Sequence, residues 1–435
     1  MSRKKIKVAL ICHVSNSDIR SHISLRKFPL WKLIRKVKGK STLYRDYSVW
    51  NTLLFKEFEN IDDIELHAII PHPDMVHERD DFELNGIFYH CFYQDLEQIS
   101  HFLGFNKKNI FEQYKRNTRN ITSIVSELNP DMVVMMGAEG PFFNLSGLKI
   151  DVEKIPFLLI LQTTMSDPDF RKYYPISEES YRDRCLCEQA LFKHVHYIAS
   201  DSAWSRGIAS RYNSKAIFVR HQFCTPVYQI NASENKKYDF VYWAANINKA
   251  GDDAIEAFAL AFKKNPTISL NMVGGFTEDY KHRLMSRMKE LGISENVHLT
   301  GFLPSHQDAL TEVTKARYAL VPIKIDIISS TIREAMILGL PVITFVTHGT
   351  PHLNDDRETV LLSEIGDYEG MANNMLKLVS NKELAKKLVE NGHLYYRDYM
   401  ENSKGMRVAA DVYHAVYEHF HNGTPIPAEL TKTTC

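Results

Sequence analysis

The feature that most constrains the fold is an alternation of short, almost wholly apolar runs with longer amphipathic segments. The runs are KVALICHV (7–14), IELHAIIP (64–71), FYHCFY (88–93), DMVVMMG (131–137), PFLLILQ (156–162), HYIASD (196–201) and AIFVRHQ (216–222). A strand with one solvated face alternates apolar and polar residues. A strand apolar throughout is buried on both faces, as parallel strands covered by helices are. Between the runs lie helical patterns at 48–59 and at 109–128, the second ending before Asn129-Pro130, because proline disfavours a helical residue before it. This βαβ order predicts a doubly wound α/β domain.

A polar segment, NASENKKYD (231–239), then reads as a linker. A second alternation follows, with strands at 238–245, 267–275, 296–302, 318–323 and 341–346 and helices at 252–264, 278–291, 306–315 and 331–338. A chain of 435 residues suits two or three domains. The expected fold class is α/β, with two Rossmann-like domains facing a central cleft, where such sheets bind ligands at their carboxyl ends. The expected division is 1–230, 238–395, a C-terminal helix at 396–421 packing back on the first domain, and a flexible tail at 422–435. The last helix carries Met406, Ala409, Tyr413, Val416, Tyr417 and Phe420 on one face. No internal repeat is visible.

Composition removes several function classes. Hydrophobic residues make up 44% and charged residues 24%, the range of folded soluble proteins. Lys plus Arg and Asp plus Glu are both 53, so there is no global attraction to nucleic acid. The cysteines, Cys12, Cys91, Cys185, Cys187, Cys224 and Cys435, form a single close pair with no second pair or histidine cluster. Reduced thiols in a cytoplasmic protein are the expectation, with no metal. The N-terminal run Ile6–Val14 is broken by Lys7 and His13, with no signal-peptide pattern. No apolar run approaches the roughly 18 residues a spanning helix needs.

The stretch DIISSTIREAMILGLPVITF (326–345) carries the most chemistry. Asp326 and Glu334 stand eight apart around a Ser-Ser-Thr run. A loop feeding a helix near Thr331 offers free N–H groups and a positive dipole end to phosphate. The hydroxyls of Ser329, Ser330 and Thr331 add donors, and a carboxylate at Glu334 accepts from two vicinal hydroxyls. The same residues also spell a capping box, in which Glu334 merely bonds the Thr331 amide.

From about Tyr238 to Gly392 the chain resembles the family 4 glycosyltransferases, which have the two-Rossmann-domain GT-B fold. The likeness rests on "DDAIEAFALAFKKNPTISLNMVGG", "ENVHLTGFLP" and "REAMILGLPVITF" in that order. The first half resembles them more weakly, in "NPDMVVMMG", "PFLLILQ" and "YIASDSAWSR". The resemblance implies transfer of a sugar from a nucleotide-sugar donor to an acceptor, with retention and without a bound metal or other cofactor. It implies that Glu334 binds the ribose and that the backbone behind it cradles the diphosphate. It places Gly301 at the donor site and Lys249 against the diphosphate. The partner arginine would fall near Ala244, where none stands, so Asn246, Asn248 or Arg333 is expected to substitute. Asp326 replaces a glutamate, and Ile327, Ile328 and Ser329 replace a glycine pair, which restricts the backbone there. At the end of PFLLILQ, Gln162 stands where the family often has a histidine near the reacting sugar. It forms hydrogen bonds but is no acid or base.

Other acceptor-side candidates are Glu139 in GAEG (137–140), which reads more readily as a solvated loop residue, and Ser15 and Asn16 after the first strand. Asp167-Pro168-Asp169 is a D-x-D of the metal-dependent kind, but the two-domain pattern argues against that fold. No G-x-G-x-x-G follows the first strand, which disfavours a nicotinamide enzyme. The segment 20–40 holds eight Lys and Arg residues (Arg20, Arg26, Lys27, Lys32, Arg35, Lys36, Lys38 and Lys40) with Trp31 and no acid. It reads either as a basic amphipathic helix for an anionic membrane surface or as a helix packed on its own domain. The expected partners are a nucleotide-sugar and a glycan or lipid-linked acceptor in cell-surface polysaccharide or glycolipid synthesis, with peripheral attachment at the inner membrane face. A catalytically degenerate glycan- or partner-binding protein and a nucleotide-sugar epimerase are the alternatives.

Overall fold

The computed structural model describes all residues except 1–3, 27–45, 95–108, 174–175, 222–229, 231–232, 234, 247–249, 304, 326–327, 404–406 and 434–435. Most of the basic segment 20–40, together with Met406, Asn248, Lys249 and Asp326, therefore lies outside the described residues. The chain divides into two compact units. The first comprises Met1–Lys172, Ile176–Cys224 and Ser403–Thr434, and the second is essentially Thr225–Asn402.

The first unit is built on an eight-stranded sheet in the order β3-β4-β2-β1-β5-β6-β7-β8. Its strands are β1 (Ile6–Ile11), β2 (Ile64–His72), β3 (Arg79–Leu84), β4 (Ile87–Tyr93), β5 (Met132–Met136), β6 (Phe157–Ile160), β7 (Tyr197–Ala199) and β8 (Ile217–Val219). All pairs are parallel except β3 with β4. The apolar runs are explained by two cores, one on each face. In β1, Val8 and Leu10 enter one cluster and Ala9 and Ile11 the other, as the two-residue period of a strand requires.

β3 escapes the apolar signal. Its sequence RDDFEL is polar because it is an edge strand, half exposed along its length. The cue that betrays it is Asn85-Gly86, with φ of 52° and 79°, which closes the hairpin onto β4 as Asn-Gly turns do. The helix expected from 109 begins at Lys115, because Tyr114 takes a left-handed φ of 57° behind a short 3-10 turn at Ile110–Glu112.

The C-terminal helix Val408–Asn422 belongs to this first unit. Tyr413, Val416 and Tyr417 share a core cluster with Val8 and Leu10. The tail expected to be flexible is instead docked. Leu430 is buried in the same cluster with Ile426 packed against it, and the Arg220 amide donates to the Leu430 carbonyl at 2.8 Å. Arg206 donates to the carbonyls of Thr431 and Lys432. The tail reads as polar because, among the described residues, its apolar packing comes from Leu430 and Ile426, while the bonds from Arg206 and Arg220 go to its backbone carbonyls.

The second unit holds a six-stranded parallel sheet in the order β11-β10-β9-β12-β13-β14. The strands are β9 (Tyr238–Asn246), β10 (Leu270–Gly275), β11 (Val297–Gly301), β12 (Ala316–Val321), β13 (Val342–Phe345) and β14 (Val360–Ser363). In β9, Phe240 and Tyr242 face one core while Val241 and Trp243 face the other. Helices Tyr368–Ser380 and Lys382–Ser403 follow β14. Each sheet reverses its strand order once, at β1/β5 and at β9/β12. Open α/β sheets bind ligands outside the carboxyl ends of the strands at such a switch point. Among the described residues no helix is long and apolar enough to cross a membrane.

Candidate functional site

In the second unit, the loop after β12 enters the helix Ser330–Ile337. Ser329 caps it, its Oγ accepting from the Thr331 amide at 3.3 Å. The helix therefore starts one residue before Thr331, and the capping box of Thr331 with Glu334 does not form. Ser330 is exposed in the first turn, Thr331 is partly exposed and Ser329 is buried.

Glu334 is held from two sides. Trp243 Nε1, at the end of β9, donates to its Oε2 at 2.8 Å, and His306 Nε2 reaches its Oε1 at 3.0 Å. The residue is only 5% exposed. A carboxylate this deep needs such partners. It also keeps lone pairs beyond these two bonds. Burial opposes a charge on His306, but the bonded carboxylate outweighs it and raises the imidazole above its ordinary value. A histidine raised in the folded state adds stability that is complete below its unfolded pKa and is lost as pH rises through the folded one. The stability difference between wild type and His306→Gln is therefore expected to shrink from about pH 6 to pH 9. Urea unfolding midpoints across that range check it, and a constant difference would contradict the pairing.

Two expected donor contacts have other reasons to exist. Gly301 takes a φ of +78° at the end of β11, a conformation that itself favours glycine. The Arg333 guanidinium lies 5.1 Å from the centroid of the Tyr399 ring, on the helix Lys382–Ser403. Of Asn246 only the backbone is described, at the end of β9.

In the first unit, Gln162 and Glu139 converge. Gly137, just past β5, has a φ of +83°, and a side chain there would meet Glu139 Oε2 at 3.0 Å and Gln162 Oε1 at 3.1 Å. Glu139 Oε2 accepts from the Ala138 amide at 2.8 Å. Burial pushes its carboxyl up, and the residue is half-buried. Ser15 and Asn16 are buried and engaged within the unit. Ser15 Oγ accepts from Arg20 Nη1 at 3.0 Å. Asn16 caps the short helix Ser17–His22 through the Ile19 amide at 2.8 Å and donates to Thr52 Oγ1 at 3.0 Å. Asp167 accepts from the Asp169 amide at 3.1 Å, which gives the D-x-D a capping role at the helix Pro168–Tyr173.

Three elements of these sites had no local signature in the sequence. Trp243 and His306 clasp Glu334 from residues 91 and 28 positions upstream. Glu188, fully buried on the helix Glu178–His194, accepts from the amides of Met165 and Ser166 at 2.8 and 2.7 Å. Its neighbours one helical turn apart also grip the loop after β6: Cys185 Sγ donates to the Met165 carbonyl and Gln189 Nε2 to Ser166 Oγ, each at 3.2 Å. Lys324 pairs with Asp253 at 2.8 Å beside the β9/β12 switch point.

Residues 228–394 match a family model described as Glycosyl transferases group 1. No curated protein matches the chain in sequence. Solved structures match its fold over nearly the whole length. A sucrose-phosphate synthase from Thermosynechococcus elongatus has a TM-score of 0.69 at 14% identity, covering 95% of this chain and 99% of that one. A structure from E. coli described as trehalose-6-phosphate bound with UDP-2-fluoro glucose has a TM-score of 0.65 at 9% identity, with coverages of 95% and 99%. Anabaena HepE in complex with UDP has a TM-score of 0.58 at 13% identity, with coverages of 93% and 96%. Two parallel-sheet Rossmann-like units of this kind are the GT-B fold.

Proposed function

We propose that the chain is a retaining glycosyltransferase of the family 4 kind. It moves a sugar from a nucleotide-sugar to a glycan or lipid-linked acceptor, in cell-surface polysaccharide or glycolipid synthesis at the cytoplasmic face of the membrane. The observation that carries this reading is Glu334: a fixed, almost fully buried carboxylate one turn into the helix that follows β12, at the switch point of its sheet. A carboxylate so fixed suits two vicinal ribose hydroxyls, and the exposed Ser330 at the helix start suits phosphate. The UDP and UDP-sugar bound by structural neighbours support the same donor class.

In this reading the C1–O bond to the diphosphate breaks while the acceptor oxygen bonds C1 on the same face. The acceptor proton passes to the departing diphosphate, so Gln162 need only orient the sugar. Stabilising the leaving group is the main catalytic demand, met by Lys249 and the 329–331 turn, with no metal required. Gln162 and Glu139 bind hydroxyls on the acceptor side. The test is a turnover screen of UDP-, GDP- and ADP-sugars, paired with thermal unfolding in each nucleoside diphosphate. Release of a nucleoside diphosphate is expected from one donor. Stabilisation without turnover would make the chain a degenerate binder, and neither response with any donor sinks the reading.

A further inference from the structure

β9 and β12 run parallel and adjacent, with Tyr238 opposite Ala316 and Val241 opposite Ala319. The two strands therefore end next to each other on the same side of the sheet. One leads into the helix Gly251–Lys264, the other into the helix Ser330–Ile337. Among the described residues, one ion pair ties the loop after β12 to the helix Gly251–Lys264. Lys324 Nζ lies 2.8 Å from Asp253 Oδ2, and Tyr368 Oη donates to Asp253 Oδ1 at 2.8 Å.

The two partners differ in exposure. The Asp253 side chain is 5% exposed and that of Lys324 is 25% exposed. The buried carboxylate has its charge compensated by the lysine and the tyrosine. The lysine, however, has three N–H donors. Asp253 takes one, and among the described residues no further hydrogen bond from Nζ is seen. Asp252, in the same helical turn, also feels the Lys324 charge. The result is a cation fixed at the switch point, with donors to spare and a route to solvent.

We propose that Lys324 is a diphosphate-binding residue of the donor site, held in place by Asp253 and Tyr368. This rests on the donor reading above and deepens it. The resemblance implies two cations on the loop after β9, and the arginine position near Ala244 holds none. Lys324, on the neighbouring loop, supplies the missing charge from across the switch point. A cation already seated on a buried carboxylate needs little reorganisation when the phosphates arrive.

The test measures calorimetric binding of UDP, GDP and ADP, and of the matching nucleosides, to the full chain. Lys324→Met is expected to weaken the nucleoside diphosphate that wild type binds by about tenfold or more. It leaves the nucleoside within about twofold, since no phosphate contact is involved, and flattens the salt dependence of diphosphate binding. Lys324→Arg keeps the charge and is expected to hold most of the affinity, which also guards against a Met variant that fails to fold. Equal diphosphate affinity in wild type and Lys324→Met overturns the proposal. So do equal losses for diphosphate and nucleoside, or a loss in Lys324→Arg as large as in Lys324→Met. If wild type binds none of the three diphosphates, the donor reading itself falls and takes this one with it.

Discussion

Replacing Glu334 by alanine is expected to weaken donor binding at least tenfold, about 1.4 kcal/mol or more, and to destabilise the fold as well. The second effect follows from the clasp. Without the carboxylate, the Trp243 indole N–H loses its 2.8 Å acceptor in a buried site, at a cost of about 1–3 kcal/mol. Loss of stability alone would not prove a ribose role, so the discriminating probe is a nucleotide without vicinal hydroxyls. Wild type is expected to prefer the ribonucleoside diphosphate over its 2′,3′-dideoxy analogue, and Glu334→Gln to lose most of that preference. The glutamine oxygen still accepts from Trp243, so this variant stays closer to wild type in thermal unfolding. A preference that survives in Glu334→Gln would leave Glu334 a structural residue.

Much of this architecture was legible because buried parallel strands are written in one dimension. KVALICHV and YDFVYWAA announce β1 and β9 without reference to anything distant, since every residue must be apolar when helices cover both faces. The polar strand β3 and the docked tail were not legible in this way. β3 is held by backbone pairing to β4. The tail is held by carbonyls that accept from Arg206 and Arg220. Backbone bonds leave no trace in side-chain hydropathy.

The site divides similarly. Glu334 stands out in the sequence because the spacing in DIISSTIREAMILGLPVITF is local. The bonds that decide its behaviour were hidden, because Trp243 and His306 arrive from other strands and helices and have no fixed spacing to it. Spacing alone left the capping box open. Only the helix start at Ser330, with Ser329 as its cap, excludes it. Ser15 and Asn16 illustrate the converse. They follow the first strand, where ligands commonly bind, yet their polar atoms are spent on Arg20, Ile19 and Thr52.

Glu188 makes the second large prediction. Burial pushes its carboxyl up to about 8, against the pull of the Met165 and Ser166 amides bonded to it. An unfolded glutamate titrates near 4.3. Between those values the folded chain keeps a proton that the unfolded chain has released, so the sign is fixed. The stability contributed is complete below the unfolded pKa and falls as pH rises toward the folded one, by up to about 1.4 kcal/mol per pH unit. Glu188→Gln removes the titration and sets an amide donor against one of the two backbone N–H groups, a cost of about 1–3 kcal/mol at low pH. Wild type is therefore expected to lose urea resistance from pH 5 to pH 8 more steeply than Glu188→Gln, so that its advantage at low pH vanishes and reverses before pH 8. Parallel curves would mean that Glu188 is ionised throughout, in which case the loop after β6 is held by a buried anion and the burial argument is wrong.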